Sequence, residues 1–360
     1  MEPSIGFPDD RTDMIRLKKI FLPAAAMVLF LISCKGKSEN PIVDPKPDNE
    51  RPVTPFKTLN YLYEISGKKT IAGIHNREPS SSPARWTNEM ESVTGKIPGL
   101  WSGDFLFQAD NIENRSIMIN EAINQWKKGA MVNLMWHACS PIYEEPCEWD
   151  NGKGVMSSMT DEQWNQLITD GTQINSNWKA RMDKIAVHLQ VLEDNGVEVL
   201  FRPLHEMNQG KFWWGGRPGP NGTAKLWQIT HDYMTKTKGL SNLIWVWDMQ
   251  DFGSLQSDLT TYNPGENYWD VLALDVYDGS GYTTAKYTAV LAAAKGKPIA
   301  LGECEKLPTA AQLASQPKSS FFMGWSELVF KNENNTPAQL NALMKAANVI
   351  TLDEMPGWQK

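Results

Sequence analysis

Residues 201–216 read FRPLHEMNQGKFWWGG, and how they are read decides the fold. Together with the preceding VEVL (197–200) they begin as a near-continuous apolar run, the pattern of a strand buried on both faces. The run stops at His205 and Glu206, and an aromatic loop bordered by glycines follows at once. A carboxylate at the end of a buried strand, just ahead of flat hydrophobic side chains, suits a barrel of parallel strands. Such a barrel gathers its chemistry at the strands' C-terminal ends.

The rest of the chain repeats the pattern. Short apolar runs occur in KTIAGIHN (69–76), IPGLWSGDF (97–105), GAMVNLMWHA (129–138), NLIWVWDM (242–249), DVLALDVYD (270–278), KPIALGECE (297–305) and SFFMGWSELV (320–329). Between them lie helix-like stretches over 116–129, 160–196, 223–239, 283–296 and 336–348, with apolar residues at i, i+3, i+4 and i+7 and several ends at Gly. Thr160 and the acidic residues after it resemble a capped helix start. Eight strands alternating with helices predict a (β/α)8 barrel. A doubly wound open sheet would show a glycine-rich phosphate loop after the first strand, and AGIHNREPSSS is not one. With no internal repeat and no second linker, residues 57–360 read as one domain, a length that such a barrel fills.

The N-terminus reads as an address. Arg16, Lys18 and Lys19 precede an apolar run of 14 residues from Ile20 to Ser33, a length that suits a signal peptide and is short for a membrane span. LISC, ending at Cys34, resembles a bacterial lipobox, which implies lipid attachment at Cys34, removal of residues 1–33 and export as a membrane-anchored lipoprotein at the cell surface or in the periplasm. Met14, just before the basic stretch, is a second candidate start. Residues 34–56 hold five prolines and no aromatic before Phe56, and read as a tether reaching roughly 3 Å per residue if extended. In an exported chain Cys139 and Cys147 can staple one loop, which leaves Cys304 as a packed free thiol. The formal charge of -7 and the lack of a long Lys/Arg run argue against a nucleic-acid partner.

Side chains at the predicted strand ends converge in kind: Asp104, Trp136 and His137, His205 and Glu206, Asp248, Tyr277 and Asp278, Glu303 and Glu305, and Trp325. Carboxylates from the fourth and seventh strands face each other across such a barrel. Held about 5–5.5 Å apart they suit a retaining glycosidase. Crowding raises the pKa of one of them, which supplies the acid, while the other attacks the anomeric carbon. Sugar rings present apolar C–H faces, so Trp213 and Trp214 beside Glu206 read as a subsite floor. Of the 15 tryptophans, roughly half are expected in the core and the rest as stacking surfaces. Trp245 and Trp247 belong to the core group, and Arg202, deeper on the face of Glu206, reads as support for a buried carboxylate network. No His-Glu-x-x-His, zinc-like Cys/His spacing or Gly-x-Ser-x-Gly occurs, so neither a metal nor a cofactor is expected.

RPLHEMN followed by WWG, with WHACSP, DVYD, LGE and FMGW in order, resembles glycoside hydrolase family 26, the β-mannanase family among retaining (β/α)8 enzymes. The resemblance implies Glu206 as acid/base and Glu303 as nucleophile, with Tyr277 bonded to the nucleophile and His205 orienting the acid/base. It further implies that His137 contacts sugar and that Trp213 and Trp325 form aromatic walls. The chain departs from the family pattern after Glu303, where Cys304 and Glu305 follow, and strand alternation makes Glu305 a rival nucleophile. The expected protein is a monomeric endo-β-1,4-mannanase acting on mannan, glucomannan or galactomannan. A related specificity (exo-acting, β-1,3-xylan or mixed-linkage glucan) and a non-catalytic glycan-binding barrel are the alternatives. The 139–158 loop is the segment expected to decide how far the cleft is closed.

Overall fold

The computed structural model describes residues 52–358. The leader, Cys34 and most of the tether lie outside them. The predicted runs form eight parallel strands: β1 (Thr70–His75), β2 (Leu100–Asp104), β3 (Met131–Trp136), β4 (Val199–Pro203), β5 (Leu243–Gln250), β6 (Val271–Val276), β7 (Ile299–Cys304) and β8 (Ser319–Gly324). Each pairs with the next, and β1 pairs with both β2 and β8, which closes the barrel. A two-residue strand, β9 (Val349–Ile350), adds to the outside of β1. Helices cover the barrel between strands, so every strand residue but Gln250 is buried, and this is why the sequence runs apolar without alternation.

The stretch 160–196 forms two helices, Asp161–Ile168 and Gln173–Asp194. Thr160 caps the first in a capping box with Gln163. The break falls where Gly171 takes φ +80° and Thr172 caps a new start, a turn that the apolar spacing alone does not reveal. A helix over Lys57–Ile65 precedes the first strand, its N-terminus held by the Glu198 carboxylate, which accepts from the amides of Lys57 (2.8 Å) and Thr58 (2.7 Å).

The tryptophans correct the sequence expectation: all but Trp86 and Trp149 are buried. Trp136 and Trp178 stack at 4.8 Å, Trp247 packs on Trp269, and Trp245 on Phe201 and Trp227. Cys139 and Cys147 are joined in a disulfide within the loop that follows β3, and Cys304, the last residue of β7, is a buried thiol.

Candidate active site

Beyond Pro203 the chain turns sharply. Leu204 and Glu206 both take left-handed backbone, φ +49° and +50°, which costs roughly 1–2 kcal/mol for each side chain. The aromatic loop holds this turn in place. Trp214 Nε1 donates to the His205 carbonyl at 2.8 Å, Gly216 N to the Met207 carbonyl at 2.9 Å, and Trp213 Nε1 to the Ala138 carbonyl at 2.7 Å. Trp214 is 0% and Trp213 2% exposed, the first stacked on Phe212 and the second edge-on to Trp178. Their reading as a sugar floor is therefore corrected: both indoles are sealed, and they brace the strand end that carries Glu206.

Glu303 approaches from β7. The register slips between Leu274 and Asp275, so that Leu274 pairs with Leu301 but Asp275 with Glu303. Gly302 fills the slip. A Cβ there would lie 2.5 Å from Asp275 Oδ1 and 2.9 Å from Arg202 Nη1, so no side chain fits. One carboxylate oxygen each of Glu206, Asp275 and Glu303 lies within 4.8 Å of the other two. Tyr277 OH donates to Glu303 Oε2 at 2.8 Å, and Arg202 Nη2 donates to Oε1. Arg202 Nη1 reaches Asp275 Oδ1 at 2.9 Å and also Asp248. Glu305 lies past the strand end, half-buried, and lines a crevice with Tyr277, Asp278 and Lys306. Asp278 is exposed and pairs with Lys286 at 2.8 Å.

The electrostatics follow from one cation among four buried carboxyl groups. Burial opposes the charge on Arg202, but Asp248, Asp275 and Glu303 outweigh it and hold the guanidinium protonated beyond its usual range. It cannot neutralise all four. Burial, then the facing Glu303 and Asp248, push Glu206 well above the ordinary carboxylate range, and burial likewise lifts Asp275. Asp248 is pushed up to about 6, again by burial first, with Arg202 opposing. Burial and the Glu303 charge keep the Tyr277 phenol protonated, so it stays a donor. The three clustered carboxylate oxygens have metal-like spacing, yet Arg202 already bonds two of the three groups and supplies the positive charge from the chain itself.

Both predicted histidines line the same site. His137 Nδ1 bonds Asp104 Oδ2 at 2.6 Å, and the His137 and His205 rings meet at 4.5 Å, edge to face. Burial works against ionisation of Asp104, but His137 and His75 outweigh it and hold its carboxyl well below its ordinary range. Burial, with His137 and Arg202 beside it, keeps His205 neutral. Trp325 stacks one face on His75 at 4.4 Å and lies 6.1 Å from His137.

Three participants escaped the sequence reading. Asp275 stands two residues before Tyr277 and shares its strand face, a spacing that could have revealed it. Gln250 ends β5. Trp149, 38% exposed, stands on the disulfide loop beside His137 and Phe212, both at 5.7 Å, with Lys211 Nζ 5.2 Å over its ring. Its loop is anchored by the Cys139–Cys147 bond, by Cys147 N donating to Phe107 O at 3.0 Å, and by Glu145 pairing with Arg115 and Lys184. Nothing periodic marks Trp149, and only the nearby cysteine hints at a fixed position.

The profile of Glycosyl hydrolase family 26 matches residues 43–354, and the chain belongs to that family. A mannan endo-1,4-beta-mannosidase from Thermothelomyces thermophilus is 31% identical over 328 residues, which cover 83% of this chain and 61% of that protein. One from Bacillus subtilis is 28% identical over 338 residues, 86% of this chain and 90% of its own length. Among solved structures, GH26A of Muricauda sp. superposes with a TM-score of 0.76 at 35% identity, covering 82% of this chain and 95% of that one. A β-mannanase from a symbiotic protist of the termite Reticulitermes speratus, complexed with gluco-manno-oligosaccharide, gives 0.71 at 28% identity, over 83% and 93% of the two chains. The chain thus spans about three-fifths of the first of these curated relatives.

Proposed function

We propose that the protein is a retaining endo-β-1,4-mannanase with Glu206 as acid/base and Glu303 as nucleophile. The observation that carries the reading is the separation of the two carboxylates, with oxygens within 4.8 Å. That suits direct attack by one of them, whereas inverting enzymes need roughly 6.5–9.5 Å to admit a water. Protonated Glu206 gives its proton to the glycosidic oxygen as that bond to C1 breaks, and the Glu303 carboxylate forms an ester bond to C1. Ionised Glu206 then takes a proton from water, whose oxygen bonds C1 and releases Glu303. Arg202 and Tyr277 orient Glu303 for attack and receive it back as the leaving group. The names of the relatives support a mannan substrate and internal cleavage.

Reducing-end release from locust-bean gum tests the assignment. Activity lost in both Glu206→Ala and Glu303→Ala is expected, and full activity in either would end it. A time course on mannohexaose then reports the mode of cleavage. We further propose export and anchoring through lipid on Cys34, supported by the LISC segment behind a basic, apolar leader. Partition of the wild-type chain into detergent, lost in Cys34→Ala, is the expected result.

A further inference from the structure

Gln250 has no part in the reaction just described, yet its position is unusually constrained. Its backbone N–H donates to Asn208 Oδ1 at 2.8 Å, and Asn208 Nδ2 donates back to the Gln250 carbonyl at 2.9 Å. Asn208 also donates to Asp258 Oδ2 at 2.9 Å. The last residue of β5 is thereby tied to the turn that carries Glu206, two residues before Asn208. The side-chain amide has one orientation that satisfies it. With nitrogen inward it donates to Glu206 Oε1 at 3.0 Å and to the Asp275 carbonyl at 3.3 Å, whereas in the reverse orientation its oxygen meets only acceptors. Among the described residues no other hydrogen bond reaches the Glu206 carboxyl.

We propose that Gln250 is a positioning residue for the acid/base: by occupying Oε1 it places the transferable proton on Oε2. This deepens the proposed function and rests on Glu206 being the acid/base. When the O–H bond at Oε2 breaks and the proton passes to the glycosidic oxygen, the new negative charge spreads to Oε1, where the amide N–H already donates. The donor therefore strengthens as the anion forms. The other groups facing Glu206 are Arg202 from β4, Lys211 from the loop after it, Asp248 from β5, Asp275 from β6 and Tyr277 just past its end, and Glu303 from β7. Gln250 offers the one neutral N–H that touches the carboxyl itself.

The test is the pH dependence of kcat/KM on mannohexaose for wild type, Gln250→Met and Gln250→Glu, with an aryl β-mannoside carrying a dinitrophenolate leaving group as a second substrate. Removing the donor destabilises the ionised form of Glu206, so the alkaline limb moves up by about one pH unit and the plateau falls about tenfold. Glycosylation by the dinitrophenyl substrate, whose leaving group needs no proton, keeps its wild-type rate. Gln250→Glu keeps the size and the backbone pair with Asn208. It sets a second carboxyl against Glu206, so it moves the limb the same way and carries the test if the methionine variant does not fold. An unmoved limb with equal losses on both substrates overturns the inference and leaves Glu206 in its role. Full activity in Glu206→Ala overturns both.

Discussion

Replacing Arg202 by methionine keeps much of the side-chain length and removes the guanidinium that bonds Asp248, Asp275 and Glu303. Breaking a buried ion pair by deleting one partner costs about 3–5 kcal/mol, because the remaining charge is left uncompensated. Here the loss depends on pH, with a sign that can be worked out. Asp248 titrates at about 6 in the folded protein against an ordinary 3.8, so between those values the folded state holds a proton that the unfolded chain has released. Its contribution is full below the unfolded value and is lost as pH rises through the folded one, a change of about 3 kcal/mol for roughly two units. Asp275 is raised as well and acts in the same direction. Without Arg202 the one cation that opposes the effect of burial on Asp248 and Asp275 is gone, both folded values rise further, and the decline continues past neutrality. Near pH 4.5 Asp248 and Asp275 are protonated in the variant and the difference from wild type shrinks to about 1 kcal/mol of lost hydrogen bonding. Near pH 8 it reaches the full 3–5 kcal/mol or so. Urea unfolding followed by tryptophan fluorescence across that range measures it. A destabilisation that stays constant with pH would refute the proton-sharing account of the site.

Tyr277→Phe removes one donor to Glu303 and should lower kcat/KM by about 1.5–3 kcal/mol, roughly ten- to a hundredfold, with an unchanged thermal midpoint. Trp149→Ala removes the one strongly exposed indole, so we expect KM on mannohexaose to rise about five- to tenfold with kcat nearly held, from about 1 kcal/mol of lost stacking. A kcat loss at constant KM would place Trp149 in the chemistry instead. Gly302→Ala forces a Cβ to within 2.5 Å of Asp275 Oδ1. It should cost about 1–3 kcal/mol of stability together with most activity, and calorimetry showing an unshifted midpoint would count against the tight register described here.

The barrel was legible because strands covered on both faces must be apolar throughout, whatever the helices outside them look like. The chemistry was partly legible for a related reason. A carboxylate or histidine that interrupts such a run at its end, as Glu206 and Glu303 do, has few uses besides the mouth of the barrel. Arg202 follows the same logic, since a lone cation inside an apolar strand needs buried anions to hold it. What the sequence concealed is the partner of each indole N–H. Trp213 and Trp214 look the same whether they stack on sugar or donate to the carbonyls of Ala138 and His205, and only the folded chain shows that they hold the turn in place.

The slip in β7 was concealed more deeply, and it bears on mechanism. Uninterrupted pairing would set Gly302, and not Glu303, opposite Asp275. The slip advances Glu303 by one position, into reach of Arg202 and Tyr277 and beside Glu206, and the missing side chain at Gly302 leaves room for the Asp275 carboxylate and the guanidinium. A departure from regular pairing thus sets the carboxylate spacing on which the retaining reading depends. Glu305, which alternation places on the same face, follows the last strand residue, Cys304, and the contacts with Arg202 and Tyr277 belong to Glu303 alone of the two.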